Sequence, residues 1–269
     1  MEGWLPMNRE PKVAVVTMEG TNNEFEAFNS LKYAGAAAEI VHIKKFESGA
    51  RKVSEYDMIF FPGGFSAGDY IRAGAIMAAR IKAKLLNDIE SFVEQGNLVM
   101  GSCNGFQVLI ELGLLPNTQG KWETEAALAV NISNRFEART IYLRVRKNNC
   151  LFLKNFEDGE VIKLPIAHME GRFVPKSQSI LEEIVRRKMN VLTYVDSMGK
   201  EADYPWNPNG SVLNIAGLCN DRGNVLGLMP HPERVFFRET ESDWTRGENR
   251  QGMGFRFFLS AVEAIKEKF

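Results

Sequence analysis

Cysteine and histidine are both scarce, with three of each in 269 residues. Cys103, Cys150 and Cys219 are odd in number and far apart, so they form neither a disulfide framework nor a C-x-x-C metal pattern. A reducing, cytoplasmic setting is expected. Net charge is nearly absent too: 33 basic against 34 acidic residues leave −1, which points to neither nucleic acid nor an anionic membrane. No apolar run approaches the ~20 residues a membrane span needs. Met1–Glu10 lacks an apolar stretch and reads as an N-terminal extension, not a secretion signal. Carboxylates and histidines nowhere show ligand spacing, so no metal is expected. No glycine-rich phosphate loop with its lysine appears, so no nucleotide site is expected in this chain.

What is present suits one large α/β unit over residues 11–269, with 45% apolar residues to build its core. Val13–Val16 is a continuous apolar run, as in a strand buried on both faces of a parallel sheet. Thr21 with Glu24 forms a capping-box pattern opening a helix to about Ala37. Strands are expected at 38–43, 58–61 and 98–100, with a long helix over 71–95 stopped by Gly96 and a short helix after Cys103. The second half reads as richer in strands, at 126–133, 139–146, 160–166, 191–196, 211–218 and 225–229, before a closing helix over 249–267. This order implies a doubly wound, flavodoxin-like, mostly parallel sheet with helices on both faces and extra strands in the second half. The turn-rich stretch 201–211 reads as a loop over a site or partner. Arg72, Arg80, Lys82 and Lys84 read as a solvated helix face.

Gly101-Ser102-Cys103-Asn104-Gly105 follows an apolar strand and precedes a helix. This is the G-x-nucleophile-x-G form of a strand-to-helix elbow, with Cys as nucleophile. The turn crowds the positions two before and two after the sulfur, and both are glycine. The helix N-terminus favours a thiolate there. Such a nucleophile needs a base and an orienting group. His231-Pro232-Glu233 supplies both, on the expectation that Pro232 keeps the backbone extended so that the two side chains point the same way. Pro62-Gly63-Gly64-Phe65, after the third strand, offers backbone N–H groups for an oxyanion; the second donor is expected from the Asn104 N–H. His168 stands as a candidate ligand-loop group. His42 reads as a packed or edge histidine, and Cys150 and Cys219 as small core residues.

The elbow and the His-Pro-Glu together resemble the triad-type, class I glutamine amidotransferases. Four blocks carry the likeness: Pro62–Ser66 continuing through Gly68–Ala75, then Cys103–Gln107, then His168–Phe173, and last Asn207–Ser211 with Gly227–Arg234. Two positions depart from the family pattern, Met169 where it has glycine and Ala67 where it has an aromatic residue. The resemblance implies that Cys103 attacks the glutamine side-chain amide, that His231 moves protons and that Glu233 orients it. It implies oxyanion donors at Gly64 and Asn104, with Gln107 and His168 lining the glutamine pocket. It further implies that the ammonia serves purine biosynthesis on a separate ATP-dependent synthetase subunit, which carries the ATP and Mg, with a small third subunit between them. A Cys hydrolase or protease of similar topology is the competing enzyme reading, but such sites usually take their histidine soon after the cysteine, and residues 104–130 contain none. A non-catalytic regulatory subunit is the other alternative; the intact Cys, His and Glu count against it.

Overall fold

The computed structural model describes residues 9–246 and 251–268; most of the proposed N-terminal extension, residues 1–8, lies outside them. In chain order the strands and helices are β1 (Lys12–Thr17), α1 (Glu24–Tyr33), β2 (Ala37–His42), α2 (Ile43–Glu47), β3 (Met58–Phe61), α3 (Ala75–Lys84), α4 (Leu86–Glu94), β4 (Leu98–Ser102) and α5 (Asn104–Leu112). There follow β5 (Ala126–Val130), β6 (Glu137–Val145), β7 (Val161–His168), β8 (Glu170–Pro175), α6 (Gln178–Arg186), β9 (Leu192–Val195), β10 (Ile215–Cys219), β11 (Val225–Leu228) and α7 (Phe255–Lys268).

Nine strands form one sheet in the order β2-β1-β3-β4-β11-β10-β9-β6-β7, while β5 and β8 pair separately. The β2-to-β11 half is parallel, and each pairing beyond β11 is antiparallel. The 2-1-3-4 strand order is that of a flavodoxin-like doubly wound sheet. Alternation along β1 sends Val13 and Val15 to one face and Ala14 and Val16 to the other. The first pair packs with Leu31 of α1 and Phe257, Phe258 and Val262 of α7. The second packs with Met77 and Ile81 of α3, Phe92 of α4 and Val108 of α5. Covered on both faces, β3, β4 and β11 are buried at every position, as continuous apolar strands of parallel sheets are.

Several expected elements differ. The first helix starts at Glu24 and ends at Tyr33, because Thr21 Oγ1 accepts from the Met18 N–H of the preceding turn and Gly35 takes a positive φ of 96°. The expected 71–95 helix is two helices, broken at Leu85, whose φ is −128°. The expected 211–218 strand begins only at Ile215, since Val212–Asn214 is a 3-10 turn with Leu213 at positive φ. The closing helix starts at Phe255, and positions 249 and 250 lie outside the described residues. β8 and α6 occupy a segment to which the sequence reading assigned no element. Arg72 lies before α3 and not on it; it and half-buried Arg80 bond the carboxylates of Glu111 and Glu47, while Arg72, Lys82 and Lys84 are exposed. Among the described residues no helix is long and apolar enough to cross a membrane.

Candidate active site

At the end of β4 the chain turns sharply at Cys103, whose φ of 49° and ψ of −107° are rare for a residue with a side chain. A Cβ on Gly101 would stand 2.6 Å from the Gly105 backbone, and one on Gly105 would stand 1.8 Å from the Phe61 carbonyl oxygen. Both glycines are therefore steric requirements of the turn. Cys103 is buried, its N–H donates to the Leu228 oxygen of β11 at 2.8 Å, and it is the N-cap residue of α5, with no side-chain capping bond from its sulfur. That end presents unpaired N–H groups, which favour negative charge.

His231 follows β11, its N–H donating to the Pro165 oxygen of β7 at 2.9 Å. The expected extended backbone is not what pairs it with Glu233. Pro232–Val235 is a 3-10 turn with the proline in its first position, where a missing N–H costs nothing. The turn still brings His231 Nδ1 within 2.7 Å of Glu233 Oε1, with both side chains buried.

In strand order β7 lies five places from β4, roughly 24 Å away in a flat sheet with ~4.8 Å spacing. Yet Cys103 Sγ sits 3.5 Å from the Ala167 oxygen of β7. The antiparallel half therefore curls back over the C-terminal edge of the parallel half and closes the site from above.

Glu233 Oε1 collects three donors: His231 Nδ1, Ser102 Oγ at 3.0 Å and Asn23 Nδ2 at 3.1 Å. Burial opposes charge on the ring, but the negative charges of Cys103 and Glu233 outweigh it and raise His231 to about 10. Burial likewise opposes the Glu233 carboxylate, and the adjacent imidazolium holds it below the usual carboxylate range. The sulfur raises the ring first through its charge and then through a side-chain hydrogen bond. His168 behaves oppositely. Burial, followed by the charge of His231, pushes it down to about 3, and it stays neutral with Nδ1 3.1 Å from Asn131 Oδ1 and Nε2 unpartnered.

The Gly64 loop is laced to the segment before α1. Asn22 and Asn23 donate N–H groups to the Gly63 oxygen, and Phe65 donates to Gly20. Gly64 itself faces Thr21 in an antiparallel bridge, and neither flanking bond uses its N–H. Its φ of 148° and the Asn22 nitrogen, 2.6 Å from where a Cβ would stand, explain the glycine. The Asn104 N–H opens α5. Its side chain accepts from Ser66 N–H at 3.3 Å and donates to Gln107 Oε1 at 2.9 Å, while the Gln107 amide donates to the Glu170 oxygen. Gln107 thus braces Asn104 and β8. Beside them Asp69, at positive φ, is raised to about 6 by burial and then by the Glu170 charge.

Cys103, His231 and Glu233 meet at one edge of the sheet, with Gly63 against the His231 ring. Cys150 and Cys219 are buried in the other core layer, and His42 ends the edge strand β2, accepting from the Lys44 N–H. Asn23 and Ser102 escaped the sequence reading. Ser102 was in view inside the elbow, but Asn23 lies 208 positions from His231, and no local pattern could have found it. Among the described residues no group of three or more His, Cys, Asp or Glu is placed to hold a metal.

Residues 10–264 match the CobB/CobQ-like glutamine amidotransferase domain. The chain is 49% identical to the phosphoribosylformylglycinamidine synthase subunit PurQ of Archaeoglobus fulgidus, over 97% of this chain and all of that one. It is 47% identical to PurQ of Picrophilus torridus, over 92% of this chain and 96% of that one. Among solved structures it is similar to a chain of PurLQS from Thermotoga maritima, with a TM-score of 0.73 and 35% identity, covering 95% of this chain and 99% of that one.

Proposed function

The chain belongs to the CobB/CobQ-like glutamine amidotransferase domain family, and from that premise we propose that it is the glutaminase subunit of a phosphoribosylformylglycinamidine synthase in purine biosynthesis. Its similarity to the PurQ subunits over nearly the whole of both chains supports this. The observation that carries it is chemical. A cysteine held at a helix N-terminus by two obligatory glycines shares an edge with a buried imidazole–carboxylate pair. We take residues 11–269 as one catalytic unit.

In this reading Cys103 Sγ attacks the side-chain carbonyl of glutamine, and the tetrahedral oxyanion is held by the N–H groups of Gly64 and Asn104. His231, charged at the outset, gives its Nε2 proton to the leaving nitrogen, and ammonia departs from the thioester. The neutral ring then takes a proton from water, whose oxygen attacks the thioester carbonyl; the C–S bond breaks, releasing glutamate and restoring the sulfur anion beside the charged ring. Glu233 holds the ring through Nδ1 and stabilises its charge without exchanging protons. His168, neutral and unpartnered at Nε2, lines the glutamine pocket; Gln107 serves it through Asn104.

The ammonia is consumed elsewhere, on an ATP-dependent synthetase subunit that brings the nucleotide and Mg, with a small third subunit completing the complex. Similarity to a chain of PurLQS supports this assembly. This chain needs no cofactor of its own. A glutamine-analogue chloroketone tests the nucleophile: the adduct should map to Cys103 and be blocked by glutamine. Labelling of Cys150 or Cys219 with Cys103 untouched would overturn the assignment.

A further inference from the structure

Asn23 stands at the N-cap of α1, a position where asparagine ordinarily accepts from the second or third helical N–H. Here its side chain makes no capping bond. Although buried at 2% exposure, the amide is turned the other way, into the site. Its Oδ1 accepts from Arg234 Nη2 at 3.0 Å. A guanidinium can only donate, so this bond fixes which end of the amide is which. Nδ2 then faces Glu233 Oε1 at 3.1 Å and His231 Nδ1 at 2.9 Å.

That orientation has a consequence for the ring. Were the amide flipped, its oxygen would offer His231 Nδ1 a second acceptor, and the proton could leave Glu233. With NH2 presented, the Asn23 side offers a donor only, and the Nδ1 proton is directed onto Glu233 Oε1 at 2.7 Å. Resting on the glutaminase reading above, we propose that Asn23 is a positioning residue which, oriented by Arg234, clamps Glu233 and confines the His231 Nδ1 proton to that carboxylate. The charged groups meeting this amide are His231, Glu233 and Arg234. Its backbone joins in, because the Asn23 N–H donates to the Gly63 oxygen at 3.2 Å. One residue thus ties the oxyanion loop to the base.

Serine and aspartate are as good at an N-cap as asparagine, so a merely structural role predicts that Asn23→Ser and Asn23→Asp are both silent. The positioning role predicts otherwise. Serine is too short to reach Glu233, and Asn23→Ser should lower kcat for glutamine by about tenfold to a hundredfold, the range typical of a misaligned catalytic group, with KM little changed. Asn23→Asp places a carboxylate oxygen against Glu233 Oε1. Two carboxylates at that distance share a proton, so this variant should regain activity relative to wild type as pH falls and the new carboxyl becomes a donor. The assay is glutamine hydrolysis by the complex reconstituted with its synthetase and small subunit, from about pH 6 to 9, a span that brackets the ordinary histidine pKa. Should Asn23→Asp fail to fold, Asn23→Ser alone decides. Wild-type kcat and pH profile in a folded Asn23→Ser, or in a folded Asn23→Asp, would overturn the proposal. A wild-type complex that hydrolyses no glutamine would instead sink the glutaminase reading beneath it, a result distinguishable because the wild type itself is then inactive.

Discussion

Of two buried histidines in one site, one is charged and the other neutral, and the difference lies in their neighbours. His168 meets an amide oxygen and the repulsion of His231; His231 meets a carboxylate and the sulfur's negative charge. Imidazole 15N chemical shifts at neutral pH should show His231 protonated at both nitrogens and His168 at one. In Cys103→Ser the largest attraction on the ring is gone, so the His231 titration should move down; an unmoved titration would mean that the sulfur does not govern it. The linkage signs follow. His231, raised in the folded state, contributes fully below its ordinary 6.5 and loses that contribution as pH climbs towards about 10. His168, lowered to about 3, costs stability as pH falls from 6.5. Thermal melts of His168→Gln should therefore show a shallower loss between those values than wild type, and an equally steep loss would refute the neutral assignment. Glu233→Gln belongs to the same scale. Its Oε1 can keep all three donors, and the amide nitrogen takes the place of Oε2, which has no partner. Turnover should drop while remaining above that of His231→Ala, because the ring is still held but its charge is no longer balanced. Equal inactivity of the two folded variants would contradict an orienting role.

At the scale of elements the elbow is among the tightest turns of the described residues. Gly105→Ala drives a methyl into the Phe61 carbonyl oxygen of β3, 1.8 Å from its ideal position. Backbone cannot move aside as a flexible side chain can. The substitution should cost about 3 kcal/mol or more in denaturant unfolding, at or above the upper end of ordinary overpacking; a cost under ~1 kcal/mol would mean that the turn relaxes. This elbow was legible because its steric demand falls on residues within five positions of one another. The parallel strands were legible for a related reason, since burial on both faces leaves unbroken apolar runs such as Met58–Phe61. β8 was not. Its inward positions are Gly171 and Phe173, so only one of them shows an apolar side chain, and its partner β5 lies outside the main sheet. The break at Leu85 carries no glycine or proline to announce it. Pro232 was read as an obstacle to helix when its place is the first position of a 3-10 turn. Asn23 was invisible because its partners are distant in sequence and its local role, the helix cap, is the one it does not perform.

At the scale of the whole molecule the parallel half supplies Cys103 and the His231–Glu233 pair, the proposed nucleophile and base, and the curled antiparallel half supplies the roof over them. The loop carrying Gly64 leads into exposed Phe65, Tyr70 and Ile71, so a partner covering those side chains would press on the loop proposed to donate to the oxyanion. We therefore expect weak glutamine hydrolysis by the chain alone and a large rise on adding the synthetase and small subunits with their ligands. A chain that already turns over at the complex's rate would refute that gating. The account as a whole stands on ammonia made at Cys103 and consumed by the partner. The most direct test supplies glutamine labelled with 15N in its side-chain amide to the reconstituted complex and follows the label by mass spectrometry. The label should enter the amidine product with wild type and be absent from it with Cys103→Ala, while free ammonium still supports synthesis by that variant complex. Label arriving in the product without Cys103 would contradict the account.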